Sequence, residues 1–478
     1  MKNYSIWKDK DIRKNFNSKS LDKNIECDTL IIGAGITGIS AYYHLKKSNQ
    51  NIIVVEQNKV GMGVTANSTG KLTYLQDNIY NNILDNYDFE TATKYLESQL
   101  KAINITKNII KTNNINCDLT KTKSYIYTNK EEEIEKITKL KEFLEKNNVK
   151  VSETNNNLVE SKYMISVDET YLFNPLKFIY ELVNKANLCN IYENTSIKKI
   201  EKQNESYICY TDNNKIICKN VILASHYPYF IIPFLFPIRS NLEKSYICSG
   251  NKKIDNISLI SYNKPFISIR NYKDSIIYLS NSHNNSSTVS DKDNFQELIK
   301  KAKKLDFEPN HIWSNIDIIT SDKLPYIGKI EDNFYIATGY NTWGMTNGIL
   351  GGYLLSEILL KNNNEYANLF DPKRKIKNSI TNIPLNSYYN LKGFINGSIT
   401  KNNFIEQKKL SGKKICIYKS EFGEHKVYQK CPHLGCKLIF NEVEKTWDCP
   451  CHGSRFDLNG KCFNGPSNSD ISYKEDNI

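Results

Sequence analysis

At 478 residues and 55.2 kDa the chain is longer than one hydrophobic core usually organises, so two or three domains are expected. A hydrophobic share of 40% and an aromatic share of 11% mark folded globular material. The net charge of +12 would suit nucleic acid or an anionic surface, but the lysines are scattered among asparagine and isoleucine with no basic, aromatic-interleaved motif, so nucleic-acid binding is not expected.

The most apolar stretch, Tyr227 to Ile238, is interrupted by Pro228, Pro233 and Pro237 and falls short of the roughly eighteen residues a membrane span needs. Met1 to Phe16 is charged and lacks an apolar h-region, so no cleaved secretory signal is expected and the expected location is cytoplasmic.

The first motif is Cys27 to Ser40, CDTLIIGAGITGIS. An apolar run, Leu30 to Ile32, leads into Gly33-x-Gly35-x-x-Gly38 and a segment of helical composition. The next apolar run, Ile52 to Val55, ends in Glu56, about twenty residues beyond the glycines. This is a βαβ dinucleotide fingerprint. Gly33 makes the turn, Gly35 admits the pyrophosphate, Gly38 lets helix pack on strand, and Glu56 accepts from ribose hydroxyls. The fingerprint alone leaves NAD and FAD open. The lack of a second glycine triplet favours FAD, because a pyridine-nucleotide-dependent flavin reductase of the two-Rossmann type would carry one.

Further along, Gly61 to Thr73 places Thr65, Ser68 and Thr69 in a glycine-containing loop. Short hydroxyls there suit phosphate or flavin edges, and equally an ordinary surface turn. Leu96, Leu100, Ile103 and Ile110, then Ile134, Ile137, Leu140 and Leu144, are spaced for helices with one buried face. Alternation around Thr195 to Glu201 and Tyr207 to Ala224 predicts strands returning to the dinucleotide domain. Residues 230 to 310 read as an antiparallel substrate-side sheet containing Ile267, Ile269, Ile276, Ile277 and Leu279. Phe334 to Thr338 reads as a buried strand, Gly339 as the turn after it, and about Gly344 to Leu360 as a helix. Its start, with Trp343, Gly344, Met345, Thr346 and Asn347, is placed to contact a flavin and to stabilise negative charge on it. From Lys361 to about Lys401 the chain turns asparagine-rich, with Asp371-Pro372 and the basic run Lys373 to Lys375, and reads as a linker packed over the preceding domain.

The tail opens with a predicted hairpin, Lys413 to Tyr418 and Lys426 to Tyr428 about a Gly423 turn, and holds six of the twelve cysteines. Cys431-Pro-His433-Leu-Gly-Cys436 is followed by Cys449-Pro-Cys451-His452-Gly-Ser454-Arg-Phe456. The C-x-H and C-x-x-H spacings fit a two-iron, two-sulfide cluster with Cys431 and Cys449 on one iron and His433 and His452 on the other. Ligand types alone would also suit tetrahedral zinc. Against zinc stand Cys436 and Cys451, surplus to the ligand set, the Ser454 hydroxyl, and Gly435 and Gly453, which allow tight loops near the metal.

Residues from about 400 onward resemble a Rieske domain of the cytochrome bc type, through CPHLGC, WDCPCHGSRF and Gly465-Pro466, which is similar to the proline loop over the cluster. The resemblance implies a Cys436–Cys451 disulfide, worth about 3 kcal/mol in the entropy model for a loop of about fifteen residues, though a cytoplasmic setting is reducing. High-potential relatives carry tyrosine where this chain has Phe456, which implies a lower potential. The front resembles the D-amino acid oxidase or glycine oxidase superfamily of FAD-dependent oxidoreductases, through IIGAGITG, Gly61 to Thr73, VILAS at 221 to 225, SDKLPYIG at 321 to 328 and ATGYNTWGMTNG at 337 to 348. The whole is similar to bacterial FAD oxidoreductases with a C-terminal Rieske domain.

The expected fold is therefore α/β: a Rossmann-like FAD-binding domain (about 24–80, 150–228 and 312–365) interleaved with an α+β substrate subdomain (about 81–149 and 229–311), a linker (371–400) and a small all-β Rieske domain (401–478). The expected activity is hydride transfer from a small amine or amino acid to FAD, with electrons leaving singly through the [2Fe-2S] cluster to an external protein or quinone-like acceptor. Such transfer needs orientation more than a nucleophile. Arg239 and Arg270 could clamp a carboxylate, and His226 and His283 could assist proton transfer, although a surface or structural role is the plainer reading of each. Asn281 and Ser282 replace the paired glycines the family usually has before His283. Two alternatives are an electron-transfer or redox-sensing module without organic substrate, and an NAD(P)H-linked reductase.

Overall fold

The computed structural model describes residues 1–8, 12–13, 16, 19–228, 239–262, 264, 266–287, 289–376, 388–389, 391–397, 405–410 and 412–473. The proline-interrupted residues 229–238 and most of the linker lie outside this set. No helix among the described residues is long and apolar enough to cross a membrane.

Ile25–Ile32, buried along its second half, forms the centre of an eight-stranded sheet. It pairs in parallel with Ile52–Val55 on one side and Lys215–Leu223 on the other. Phe334–Thr338 continues the parallel order beyond Lys215–Leu223, and Tyr326–Glu331 closes that edge antiparallel. Such doubly covered strands are continuous apolar runs, as IIVV at 52–55 is. The helices Ile36–Leu45 and Gly344–Leu359 pack on each other across one face: a Cβ on Gly352 would lie 2.5 Å from the Ala41 amide, so the glycine is what allows the approach.

A second, nine-stranded sheet lies against the first. Its order is Pro309–Thr320, Ser240–Asn251, Ser275–Asn284, Ser268–Tyr272, Ile257–Ser261, Thr120–Thr128, Tyr163–Leu172, Lys71–Leu72. All pairings along it are antiparallel except Ile257–Ser261 with Thr120–Thr128. This moves several expected boundaries. Lys71–Leu72, Val151–Glu153, Tyr163–Leu172 and Pro309–Thr320 belong to this sheet, although the segments 24–80, 150–228 and 312–365 were expected in the FAD domain. An apolar strand pattern states that a segment is buried, while the choice of sheet is fixed by long-range register such as Tyr125 opposite Ser166.

The expected helices are present as Phe89–Thr112 and Ile134–Lys146. The linker's basic run is partly buried: Arg374 pairs with Asp322 at 2.8 Å and packs on Tyr326. Two small sheets make the tail, Ile405–Leu410 with Lys413–Ser420 and Gly423–Tyr428, and a four-stranded one from Ile439–Asn441 to Cys462–Asn464.

Candidate functional site: two adjoining cofactor sites

Where Ile25–Ile32 ends, a cavity of about 1040 Å³, open mouth included, is walled by Gly33, Gly35, Glu56, Thr65, Gly344 and Met345 among others. The glycines are sterically required there. Gly33 has φ +105°, and a Cβ on it would lie 2.7 Å from the Ala224 carbonyl oxygen. A Cβ on Gly38 would lie 1.9 Å from the Gly33 oxygen. The helix Ile36–Leu45 begins at Gly35 without a side-chain cap, which leaves first-turn N–H groups for a diphosphate. Thr65 Oγ1 accepts from the Ile36 amide at 3.1 Å. The Glu56 carboxylate accepts from the Ala34 and Asn58 amides, both at 2.9 Å. Burial raises its pKa and those two N–H groups pull it back.

The tail carries a second constellation. The loops bearing Cys431 and Cys449 repeat one hydrogen-bond pattern. Cys431 N–H donates to Cys436 O and Cys449 N–H to Ser454 O, both at 2.8 Å; Gly435 and Gly453 donate back to Cys431 and Cys449. The Cys431 thiol faces that of Cys449 and the Ser454 hydroxyl. The His433 and His452 rings stand edge to face at 4.9 Å, and His433 Nδ1 is buried with no hydrogen-bond partner among the described residues. A disulfide joins Cys436 to Cys451, and Cys449 Sγ lies within 4.8 Å of both its sulfurs. A disulfide sulfur is spent as a ligand, so the residues that would hold a cluster here are Cys431, His433, Cys449 and His452. Two facing thiols and an orphaned imidazole nitrogen fit a two-iron cluster. A Cβ on Gly465 would lie 2.4 Å from Ser454 Cα, so the Gly465-Pro466 loop lies directly on the second cluster loop.

The sequence profile of the FAD dependent oxidoreductase family (DAO) matches residues 28–358, and that of the Rieske [2Fe-2S] domain matches 396–474. The chain belongs to the DAO family of FAD dependent oxidoreductases. It is 29% identical over 477 residues to the Bacillus subtilis (strain 168) protein YhfW, whose name describes a Rieske 2Fe-2S iron-sulfur protein, with 94% of this chain and 93% of that one covered. It is 20% identical to gamma-glutamylputrescine oxidoreductase of Escherichia coli (strain K12), over 71% of this chain and 85% of that one. Glycine oxidase from Geobacillus kaustophilus shares the fold with a TM-score of 0.60 at 16% identity, covering 73% of this chain and 99% of that one. As a DAO enzyme with a Rieske domain, the protein uses FAD and a [2Fe-2S] cluster.

The DAO and Rieske sites adjoin. Phe463, Asn464 and Gly465, from the Rieske domain, form part of the dinucleotide cavity wall. Gln57 and Asn58, just beyond Glu56, donate to the Cys462 carbonyl at 3.1 and 2.9 Å. Asn285 reaches the Cys449 carbonyl at 3.2 Å, and Ser196 donates to Asn468 O at 3.1 Å. His226 lines the cavity with φ +66°, its Nε2 donating to Ile316 O at 3.0 Å. Burial lowers its pKa to about 4, so it is neutral at pH 7. The next residue, Tyr227, is buried with its ring edge to face against both cluster histidines, at 6.4 Å from His433 and 6.0 Å from His452.

Several expected roles change. Arg270 lines neither this cavity nor the one beside it; its guanidinium donates to the carbonyls of Thr69, Gly70, Phe173 and Asn271 and braces the hydroxyl-rich loop. His283 also lies away from both, bonded to Tyr246 Oη at 3.1 Å and to Asn284 O at 2.9 Å. Arg239 donates to the Pro372 and Arg374 carbonyls. Asn347 is turned into the core, accepting from Gln99 at 3.0 Å, and Thr346 Oγ1 donates to Thr73 O at 3.1 Å. Gly38 and Gly339 shape backbone without lining the cavity: a Cβ on Gly339 would lie 2.5 Å from Thr320 Cγ2. Ser68, Thr69 and Trp343 line the neighbouring cavity. Sequence reasoning did not single out Tyr227, whose ring meets those of His433 and His452, or Lys71 and Asp317, which line the cavities; the one signal for Tyr227 was its place directly after His226.

Phe456 is fully buried in the Rieske core, paired with Trp447 and Cys462 across the small sheet. Phe456→Tyr adds a hydroxyl beside the cluster loops and is expected to raise the cluster potential in a redox titration followed by electron paramagnetic resonance. An unmoved potential would mean that no ligand sulfur is within its reach.

Proposed function

We propose that the protein oxidises a small amine or amino acid and passes the two electrons, one at a time, through its Rieske domain to an external acceptor. The substrate loses a C–H hydride and an N–H proton to become an imine, and two one-electron exits restore the oxidised protein. When bound, FAD supplies the hydride acceptor and the cluster supplies the one-electron outlet. The chain's own part is to hold the two sites against one another. The observation that carries this reading is the shared wall: Phe463 to Gly465 complete the dinucleotide cavity, and Tyr227 touches both cluster histidines one residue from cavity-lining His226. Leu434, next to His433 in the chain, is 52% exposed, which would give an acceptor an approach to the cluster loops. The names of the amine- and amino-acid-oxidising relatives support the substrate class. A cavity beside the flavin site weighs against a module with no organic substrate.

Anaerobic mixing with a panel of amines and amino acids tests the reading. A substrate is expected to bleach the flavin and then bring up the paramagnetic signal of the reduced cluster. No bleaching by any of them, with normal reduction by dithionite, would refute amine oxidation. Tyr227→Leu removes the only ring among the described residues that contacts both histidines. It is expected to slow cluster reduction after flavin bleaching while leaving the bleaching rate unchanged in stopped-flow absorbance.

A further inference from the structure

The paired cluster loops meet different surroundings on their histidine and disulfide sides. Tyr227 lies edge to face with His433 and His452, so the histidine side is turned toward the flavin domain. On the disulfide side, Cys449 Sγ lies within 4.8 Å of both bridged sulfurs, and a short helix, residues 391–397, is laid over the bridge. A Cβ on Gly393 would lie 2.8 Å from Pro450 O and 2.9 Å from Cys451 Cα. One on Gly397 would lie 2.6 Å from Lys437 O, so the two glycines bring the helix backbone down on both cluster loops. Cys436 Sγ is 3.8 Å from Gly393 O.

The outer surface of this layer is apolar. Ten large apolar side chains are exposed among the described residues, and five of them, Tyr388, Leu391, Phe394, Ile395 and Leu434, belong to this helical segment or to the first cluster loop. Its charge has one sign. Segments 388–397, 429–441 and 449–454 contain Lys392, Lys430 and Lys437 and no aspartate or glutamate. Lys430 and Lys437 stand opposite one another at the base of the first cluster loop, and exposed Lys414 is tied in there, its carbonyl accepting from the Gln429 amide at 3.1 Å. Among the described residues, Lys392, Lys414 and Lys430 have no carboxylate within ion-pair distance.

From this apolar, lysine-rimmed face we infer the docking site of the electron acceptor, and that the acceptor is a small acidic protein carrying a one-electron metal centre of high potential. The apolar centre excludes water between the partners, and the lysines steer an acidic surface onto it. The protein gives up one electron and the carrier's metal ion is reduced by one; no bond is made or broken. The inference rests on the outlet half of the proposed function, electrons leaving singly, and names the acceptor's class.

The test compares two high-potential one-electron carriers, an acidic cupredoxin and basic mitochondrial cytochrome c. Binding of each oxidised carrier to the holoprotein is measured by calorimetry. The second-order rate of carrier reduction is measured after stoichiometric reduction of the holoprotein with dithionite, which needs no organic substrate. The acidic carrier is expected to bind more tightly and react faster as salt is lowered, and the basic carrier to react more slowly. Lys392→Glu with Lys430→Glu is expected to weaken binding and slow reduction of the acidic carrier by about tenfold or more at low salt. Lys101→Glu with Lys219→Glu makes the same change in net charge on helix Phe89–Thr112 and strand Lys215–Leu223 and should alter both far less. Ile395→Ser should weaken binding at every ionic strength. Retention of the axial paramagnetic signal separates a lost face from a lost fold, and Lys392→Gln with Lys430→Gln repeats the test if the reversal costs that signal. A basic carrier preferred at low salt, or an acidic carrier indifferent to the Lys392 and Lys430 substitutions, would overturn the docking face. So would a dimer in sedimentation that Ile395→Ser dissociates, which would assign the face to a second copy of the chain. If the acidic carrier behaves as expected and no amine or amino acid bleaches the flavin, the face stands and the oxidation reading fails. If amines bleach the flavin and the carrier preference is absent, that reading stands and the face fails.

Discussion

In His433→Ala and His452→Ala proteins the axial paramagnetic signal of the reduced cluster is expected to disappear while flavin absorbance is retained. Each substitution would remove one of the two imidazoles assigned to a single iron, and Cys436 and Cys451, joined to each other, are not free to replace it. The flavin should stay because the groups suited to hold it, Gly33, Gly35, Glu56 and Thr65, come from the front of the chain and touch neither histidine. Replacing either histidine by cysteine should return a cluster of lower potential, since a thiolate adds negative charge. An unchanged axial signal in the alanine proteins would remove these residues from the ligand set.

The second large effect concerns docking of the Rieske domain. Lys244→Met is expected to lower unfolding free energy by about 3–5 kcal/mol, the scale for removing one partner from a buried ionic network. Lys244 bridges Asp291, at 2.7 Å, and Asp448 of the Rieske domain, at 2.9 Å, with its side chain only 5% exposed. Burial opposes its charge, yet Asp291 and Asp448 outweigh that and raise its pKa. Asp448 also holds Arg455 at 3.1 Å, Arg455 holds Glu444 at 2.7 Å, and Glu444 accepts from the Ser314 amide at 2.9 Å on the substrate-side sheet. Methionine would leave Asp448 with Arg455 alone and remove the cation beside Asp291, at a largely buried junction. Because the network is buried, moderate salt should change the loss little. Chemical denaturation reads the effect. A loss below about 1 kcal/mol, the range of solvent-exposed ion pairs in general, would mean that the interface is open to solvent.

What the sequence made legible was chemistry tied to local spacing. The paired loops that bring together the side chains of 431, 433, 449 and 452, and the glycine triplet with Glu56, depend on contacts within one loop pair or one βαβ unit, so a short window contains the constraint. Roles that depend on where a long side chain ends up were not legible. Arg270 has the chemistry of a carboxylate clamp, but the carbonyls of Thr69, Gly70 and Phe173 reach it first. His283 lies near the end of strand Ser275–Asn284, away from both cavities, and is engaged by Tyr246 from the neighbouring strand. Lys244 and Asp448 are 204 positions apart, and nothing local marks either as half of a buried pair. Strand Tyr163–Leu172 shows the same limit for the fold, because its apolar pattern is satisfied in either sheet.

The central claim is that electrons pass from the flavin site to the cluster inside one folded chain. Its most direct test is the rate of cluster reduction after rapid anaerobic reduction of the flavin by substrate, measured across a wide range of protein concentration. The shared wall at Phe463 to Gly465 and the Tyr227 contact predict a first-order rate that does not change with concentration and is at least as fast as turnover. A rate that rises in proportion to protein concentration, or one slower than turnover, would contradict the account.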